Sequence, residues 1–484
     1  MRIVTVAQMR GLERAAVAAG VTEARLMEEA GRGVARRLIE AFPAAARFAF
    51  FCGKGNNGGD GLVAARALRE AGRVARCFSP FVLGDEMAEP MSACGPGALE
   101  GAVLVDALLG IGSSGPLRGE IARASGVISA WARGPVVALD VPTGVDADSG
   151  CVAEGAVRAD LTVACGFPKI GMFRGTAPDH VGRVLVAPLT IPGDAIGGLG
   201  AGPDFFGEEE ARGLLPRRRW STHKGECGHV VVVAGAVGTS GAAVMAIEGA
   251  LHAGAGLVSA FVPAAIQPIV ASQTMEAMVR PFGDPSAVLA GVPEDAVFVV
   301  GPGLGIGGEG GALLRELAHR GARMVLDADA LNLLAREKAL LGALGAGVLL
   351  TPHPGEMRRL MGAGVDDRIA ACDVFSSECR AALLLKGTHS IACQSGRPMS
   401  LNSSGNPGMA TGGMGDVLAG VCGGLMALGL GAYDAARLGA FVHGLAGDLA
   451  LESESPESLL PRHLLARLGA AFTRVRSGAG PARS

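Results

Sequence analysis

Three short stretches in the first half of the chain end in oxygen-bearing side chains. GKGNNGGDG carries Asn56, Asn57 and Asp60, VDALLGIGSSGP carries Asp106, and LDVPTGVDADSG carries Asp140 and Thr143. Amide, hydroxyl and carboxylate oxygens are hard ligands. With glycines around them they suit a cation beside a phosphate-bearing molecule. Taken singly, Asp60 and Asp140 read equally well as helix caps, and the asparagines as turn formers. Together they favour a site, because the carboxyl ends of strands in an open α/β sheet converge on one crevice. Lys169, in GFPKIGMF, follows another strand-like run; it is a candidate base or phosphate holder, or else a surface lysine. Gly53, Gly55 and Gly58 also spell G-x-G-x-x-G. The next strand-like run, RVARCFSP, offers no acid for a ribose hydroxyl, and no G-K-[ST] closes the loop. An ordinary NAD-binding site and a P-loop are both disfavoured.

The strongest signal in the second half is NPGMATGGMGDVLAGV, where Gly412, Gly413 and Gly415 lead into a helix with Asp416 in its first turn. Free N–H groups there can stabilise a phosphate or a developing negative charge. A carboxylate in the same loop can take a proton from a hydroxyl. An anion hole beside a carboxylate is what phosphoryl transfer to an alcohol needs. The alternative is a plain helix cap with the glycines needed only for close packing, and three glycines within four residues weigh against it. Around this motif stand GPGLG (Gly301 to Gly305), Asp327 and Asp329 in LDADALNLL, His353 and Glu356 in TPHPGE, and Lys386 in LKGTHS.

These residues need elements to carry them. In the first half, two amphipathic helices (VAQMRGLERAAVAAG and ARLMEEAGRGVARRLIEAF) precede strand-like runs alternating with helical patterns. That β-α-β rhythm predicts a parallel sheet with helices on both faces. IPGDAIGGLGAGPDFFGEEE, from Ile191, lacks periodicity and reads as a linker. The rhythm then restarts with GHVVVVAGAVG, GLVSAFVP, AVFVVGPGLG, ARMVLDADALNLL, GVLLTPHPGE and AALLLKG. DVLAGVCGGLMALGLGAY reads as a buried helix rather than a span, and SGAGPARS as a disordered tail. The 484 residues allow two or three domains, and 49% apolar content can fill their cores. A net charge of −3 and scarce aromatics argue against nucleic acid or anionic membranes as partners. The ten cysteines form no C-x-x-C pair, so the expectation is reduced, buried thiols without zinc. The N-terminus lacks the apolar core of a signal peptide.

LMEEAG, GKGNNGGDG, DALLGIG, DVPTG and FPK, in this order, resemble the YjeF N-terminal family of NAD(P)H-hydrate epimerases. The resemblance implies a Rossmann-like three-layer sandwich over residues 1–205 that interconverts the R and S forms of hydrated NADH and NADPH. It implies K⁺ on Asn57, Asp106 and Thr143. Substrate would lie on Asn56, Asn57, Gly58, Gly59 and Asp60, on Gly110, Ile111, Gly112, Ser113, Ser114, Gly115 and Pro116, and on Asp140. Asp140 and Lys169 are the candidate proton carriers. The family usually has Ser where Thr143 stands, which keeps the hydroxyl, and Asn where Glu29 stands.

THKGECG, GAAVMA, HAGAGLVSAFVP, GPGLG, LDADALN, TPHPGE, LKGTHS and GNPGMATGGMGDVLAG resemble the YjeF C-terminal family, the ADP-dependent NAD(P)H-hydrate dehydratases. That implies a ribokinase-like α/β domain over residues 206–475. In it, ADP phosphorylates the S-hydrate and phosphate is then eliminated. Asp416 would be the base, and Gly413, Met414 and Gly415 the anion hole. Lys386, Gly387, Thr388, His389, Ser390 and Gly415 would meet ADP. Ala242, Gly303, His353 and Asp416 would meet the hydrate. The family more often has Thr where Met414 stands. Together the two resemblances imply the use of K⁺, Mg²⁺ and ADP. The reduced cysteines predict a cytoplasmic protein, and the low charge and many small residues allow the extensive interfaces of a homo-oligomer. The competing readings are a ribokinase-like small-molecule kinase with an accessory dinucleotide-binding domain, an NAD-dependent oxidoreductase, and a non-catalytic ligand-binding first domain.

Overall fold

The computed structural model describes all residues except 132, 306, 363–366 and 479–484, so most of the expected tail lies outside the described residues. The chain divides into two compact units, Met1–Pro203 and Asp204–Ser484.

The first unit is built on seven strands: β1 (Arg47–Cys52), β2 (Val74–Ser79), β3 (Ala88–Pro90), β4 (Ala102–Ala107), β5 (Val136–Leu139), β6 (Leu161–Cys165) and β7 (Arg183–Ala187). They lie in the order β3-β2-β1-β4-β5-β6-β7 and every neighbouring pair is parallel. Successive side chains of a strand point to opposite faces, and both faces here are covered. Phe48, Phe50 and Cys52 pack with Val34, Leu38, Leu62 and Leu68 of the helices Glu23–Ala41 and Asn56–Glu70. Ala49 and Phe51 pack with Ala124 and Ile128 of the helix Gly119–Ala130. This is the three-layer Rossmann-like sandwich. Its strand order reverses between β1 and β4, where such sheets open a crevice.

The second unit contains β8 (Asp204–Phe206), β9 (His229–Val233), β10 (Leu257–Pro263), β11 (Met278–Phe282), β12 (Val297–Val300), β13 (Arg323–Leu326), β14 (Val348–Leu350), β15 (Ala382–Leu385), β16 (Ile391–Cys393) and β17 (Ser400–Asn402). The order is β11-β10-β9-β12-β13-β14-β15-β16-β17-β8, parallel from β11 to β15 and antiparallel across β15-β16-β17. The stretch expected to be a linker is structured instead. It holds a short helix, Gly193–Gly197, then β8, which pairs with β17, then the helix Glu208–Leu214. Phe205 and Phe206 are buried there. A three-residue strand has no period to read, so the local sequence hides it. The strands β11, β16 and β17 escape for related reasons: MVRPF contains a proline, and the other two have three residues each.

One helix pair fixes the geometry of this unit. Met414–Ala427 crosses Ser240–His252 at backbone distance. A β-carbon at Gly420 would stand 2.0 Å from the Ala246 carbonyl oxygen, and one at Gly249 would stand 2.4 Å from that of Val417. Eleven residues of Met414–Ala427 are buried, which explains an apolar run without a span. Among the described residues no helix is long and apolar enough to cross a membrane.

The seam makes a prediction of sign. Gly420→Ala should destabilise the protein by about 1–3 kcal/mol through overpacking. Gly469→Ala, at a helical site with nothing within 4 Å of the added carbon, should stabilise by up to about 1 kcal/mol. Urea unfolding of the second unit's tertiary signal measures both.

Candidate active sites

In the first unit the loops after β1, β4, β5 and β6 supply the oxygen ligands. The helix Asn56–Glu70 starts directly after the glycine turn, so Asn56, Asn57, Gly58, Gly59 and Asp60 form its first turns. The glycines are needed for close approach: a β-carbon at Gly53 would lie 1.9 Å from the Leu108 carbonyl oxygen, and one at Gly58 1.9 Å from that of Gly53. Asp60 therefore sits inside the helix and caps nothing.

Asn57 and Thr143 converge on Leu109, and Asp106 joins them through Thr143 and the Leu108 N–H. Asn57 Nδ2 donates to the Leu109 carbonyl (2.8 Å), and Leu109 N–H donates to Thr143 Oγ1 (3.1 Å). Thr143 donates from Oγ1 to Asp106 Oδ1 and from its backbone N–H to Oδ2, both at 2.8 Å. The carboxyl of Asp106 is wholly buried, and burial raises it to about 6 despite these bonds. Among the described residues no cationic side chain pairs with it. A buried carboxylate lacking a counter-charge, surrounded by amide and hydroxyl oxygens, fits a hard monovalent cation. The loop Gly110–Pro116 beside it is largely exposed, and Gly115–Pro116 and the two serines border a cavity of about 120 Å³.

Lys169 is not a surface lysine. It is 1% exposed, its Nζ is ion-paired with Asp140, and it donates to the Cys165 carbonyl (3.0 Å). Asp140 also accepts from Cys165 N–H (3.1 Å) and holds a φ of +68°, a strained conformation for a residue with a β-carbon. Burial, then repulsion from Asp140 and Glu13, raises the Asp60 carboxyl to about 8, against the pull of Lys169. The Asp60 carboxyl therefore holds its proton far more tightly than an ordinary carboxyl. Glu29, the departure noted above, accepts from Thr190 N–H and Oγ1, tying its helix to the end of the sheet.

In the second unit the loops after β9, β12, β13, β14 and β15 meet the N-terminus of Met414–Ala427. Gly413 caps that helix at φ +94°, a left-handed conformation that suits glycine. Met414 N–H leans on the Thr411 carbonyl (3.4 Å), whereas among the described residues no backbone carbonyl takes the N–H of Gly413 or Gly415. Those two N–H groups are thus free, as is that of Asp416, and Met414 contributes a buried side chain to the core. A β-carbon at Gly415 would stand 3.2 Å from Lys386 Nζ and 3.6 Å from Asp327 Oδ2. Lys386 is paired with Asp327 (2.6 Å), which also accepts from Thr351 Oγ1. Burial works against the lysine's charge, but Asp327 and Glu356 outweigh it and raise its pKa. The Asp416 carboxyl is raised to about 7 by burial and then by Asp327, although Lys386 pulls it down.

Ala242 and Gly303 adjoin: a β-carbon on Gly303 would be 3.0 Å from that of Ala242, and Thr239 Oγ1 donates to the Gly303 carbonyl (2.8 Å). Met245, on the same helix as Ala242, packs its sulfur against Gly413. His353 caps the helix Pro354–Met361, accepting from Gly355 N–H (3.0 Å), with its side chain half exposed. In the stretch Lys386–Ser390, Arg368 holds the Leu385 and Thr388 carbonyls. Arg368 was invisible in the sequence, as was Asp448, which accepts from Gly405 N–H and Asn406 Nδ2 and so braces the glycine loop. Both act across long sequence separations that no local motif signals. Among the described residues no three His, Cys, Asp or Glu side chains cluster as a metal cage.

The family model for NAD(P)H-hydrate dehydratase matches residues 230–469, and that for the YjeF-related protein N-terminus matches 23–93 and 83–171. A bifunctional NAD(P)H-hydrate repair enzyme of Coxiella burnetii is 36% identical, covering 95% of this chain and 97% of its own. The Moorella thermoacetica enzyme of the same name is 35% identical over 96% and 95%, and that of Escherichia coli 32% over 95% and 91%. In fold, a ribokinase-like superfamily protein from Enterococcus faecalis matches with a TM-score of 0.52 at 24% identity, over 57% of this chain and 96% of its own.

The Lys169–Asp140 pair sets a stability test. Lys169→Met strands a buried carboxylate and should cost about 3–5 kcal/mol, and adding Asp140→Asn should recover most of that. Thermal unfolding of the two variants at pH 7 checks it.

Proposed function

The chain belongs to the bifunctional NAD(P)H-hydrate repair enzymes, and from that premise we propose that its two units divide the repair. The unit Met1–Pro203 epimerises hydrated NADH and NADPH, and the unit Asp204–Ser484 dehydrates the S form with ADP. The observation that carries the second half is Asp416. It is a partly buried carboxyl with its pKa raised to about 7, in the first turn of a helix where, among the described residues, the N–H groups of Gly413 and Gly415 have no backbone acceptor.

Asp416 takes the proton of the hydrate's hydroxyl as that oxygen attacks the terminal phosphoryl of ADP, and AMP leaves. The N–H groups of Gly413 and Gly415 face the charge that builds on the phosphoryl oxygens. Hydroxide is a poor leaving group and phosphate a good one. The lone pair of the ring nitrogen then expels phosphate, and a proton leaves the neighbouring carbon to restore the dihydropyridine. Lys386, held by Asp327 through one of its three donors, would meet ADP together with the backbone of Gly387–Ser390, which Arg368 braces. Ala242, Gly303 and His353 face the hydrate. Mg²⁺ would enter with the nucleotide and would supply positive charge against its phosphates.

In the first unit Asp140 and Lys169 handle the proton transfers of epimerisation, and Asp60 is a neighbour that holds its proton more tightly than an ordinary carboxyl. Asn57, Asp106 and Thr143 would hold K⁺, which would supply a fixed positive charge for the phosphate-bearing substrate. The loops Asn56–Asp60 and Gly110–Pro116 would line that substrate. The setting proposed is the cytoplasm, where pyridine dinucleotides are used.

Mixed R and S hydrated NADH, followed by the return of NADH absorbance with ADP, ATP or neither, tests both halves. Full recovery is expected with ADP. Recovery limited to the S fraction sinks the epimerase assignment, and no recovery with any nucleotide sinks the whole reading. Asp416→Asn should abolish dehydration while R/S exchange continues. Dehydration should rise with pH through about 7, where the Asp416 base ionises.

The same residue predicts a stability effect of opposite sign. A carboxyl whose folded pKa lies above its ordinary 3.8 binds its proton more tightly when folded. Its contribution to stability therefore falls as pH rises from about 4 to about 7. Asp416→Asn should accordingly be more stable than the parent at pH 8, on the order of 2 kcal/mol after allowing for solvent screening. The gain should vanish near pH 4. Denaturant titrations at the two pH values check this.

A further inference from the structure

The second unit has a cavity of about 520 Å³ lined by Gly305, Asp329, Asn332, Ala335, Arg336 and Arg359. None of the chemistry described above uses its two arginines. The cavity starts at the GPGLG loop, two residues beyond Gly303, and runs along the helix Asp329–Arg336. Its walls form a chain of bonds. Gly305 N–H donates to Asp329 Oδ2 (2.8 Å), Asn332 Nδ2 donates to Asp329 Oδ1 (3.3 Å), and Arg359 Nε donates to Asn332 Oδ1 (2.9 Å). Both Asp329 oxygens are thus engaged by the wall. The Arg359 guanidinium is fixed through Nε, and its Nη groups have no hydrogen-bond partner among the described residues. Arg336 forms no hydrogen bond or ion pair with any described residue; the neighbouring Glu337 is taken by Arg315.

Surface arginines near acids usually pair with them. Two that stay unpaired in one cavity, one of them oriented by an amide, make a fork suited to a phosphate dianion. We propose that Arg336 and Arg359 bind a phosphate group of the hydrated dinucleotide, so that the bond chain Gly305–Asp329–Asn332–Arg359 couples that contact to the loop that faces the hydrate. The proposal rests on the dehydratase reading given above. Two phosphates of the substrate share this chemistry: the pyrophosphate, present in both hydrates, and the 2′-phosphate, present only in the NADPH form.

The test is steady-state dehydration of NADH hydrate and NADPH hydrate by the full chain, with Arg336→Gln, Arg359→Gln and the double variant. Arg358→Gln, a neighbouring cation outside the cavity, is the control. Each cavity variant should raise the hydrate's KM about tenfold, the scale of one charge-assisted hydrogen bond, with kcat and the KM for ADP unchanged. A rise for NADPH hydrate alone assigns the 2′-phosphate, and an equal rise for both assigns the pyrophosphate. The inference is overturned if the double variant leaves both hydrate KM values within about twofold of the parent, or if the KM for ADP rises as much, since either excludes a bond of that size to the dinucleotide. Arg336→Gln removes no internal bond, so it keeps the test valid if Arg359→Gln fails to fold. A parent protein that restores no NADH rejects the dehydratase reading itself and is told apart from failure of this inference.

Discussion

The dehydratase unit depends on two helices touching through their backbones. Met414–Ala427 comes close enough to Ser240–His252 that Gly249, Gly420 and Gly424 have no room for a β-carbon. That contact sets where the helix N-terminus lies. It brings Gly413 against Met245, which is on the same helix as Ala242, and Ala242 in turn abuts Gly303. The glycine loop Gly412–Gly415, Asp416 and the GPGLG loop are therefore placed by one packing constraint. Packed interiors are too dense to absorb an added methyl at such a seam without shifting what it positions.

Both units hold charge where water is scarce. Asp106, Asp140 and Lys169 in the first, and Asp327 and Lys386 in the second, are buried or nearly so. Two of these groups are paired across each of Asp140–Lys169 and Asp327–Lys386, which orients them more than it stabilises the fold. The remaining carboxyls, Asp60, Asp106 and Asp416, are pushed upward because burial disfavours their charge. Carboxyls whose proton affinity lies near neutrality are the result. The same burial that makes Asp416 useful makes it a destabilising residue at alkaline pH.

The two sheets obey one rule. In each, the strand order of the parallel part reverses, between β1 and β4 and between β9 and β12, and the candidate site loops leave the carboxyl ends of strands at or beyond that reversal. Crossovers that diverge at this point leave a crevice with no helix over it. That is why loops far apart in sequence, such as those bearing Asn57 and Thr143, can both bond the backbone of Leu109.

The sequence alone determined the repeating β-α-β rhythm, the two helices ahead of it, the glycine loops and the identity of the chemical groups at strand ends. Those features are local: period, turn residues and motif spacing are all set within a few residues of one another. Tertiary structure decided the rest. Whether Lys169 faces water or a buried aspartate depends on packing between β6 and the start of the chain, which no window of sequence contains. The segment around Phe205 pairs with β17, nearly two hundred residues later, so it looked like a linker. Arg368, Asp448 and the pair Arg336 and Arg359 acquire meaning only from what stands opposite them. A side chain's type is written locally. Its burial, its partner and hence its proton affinity are properties of the surroundings that the fold assembles.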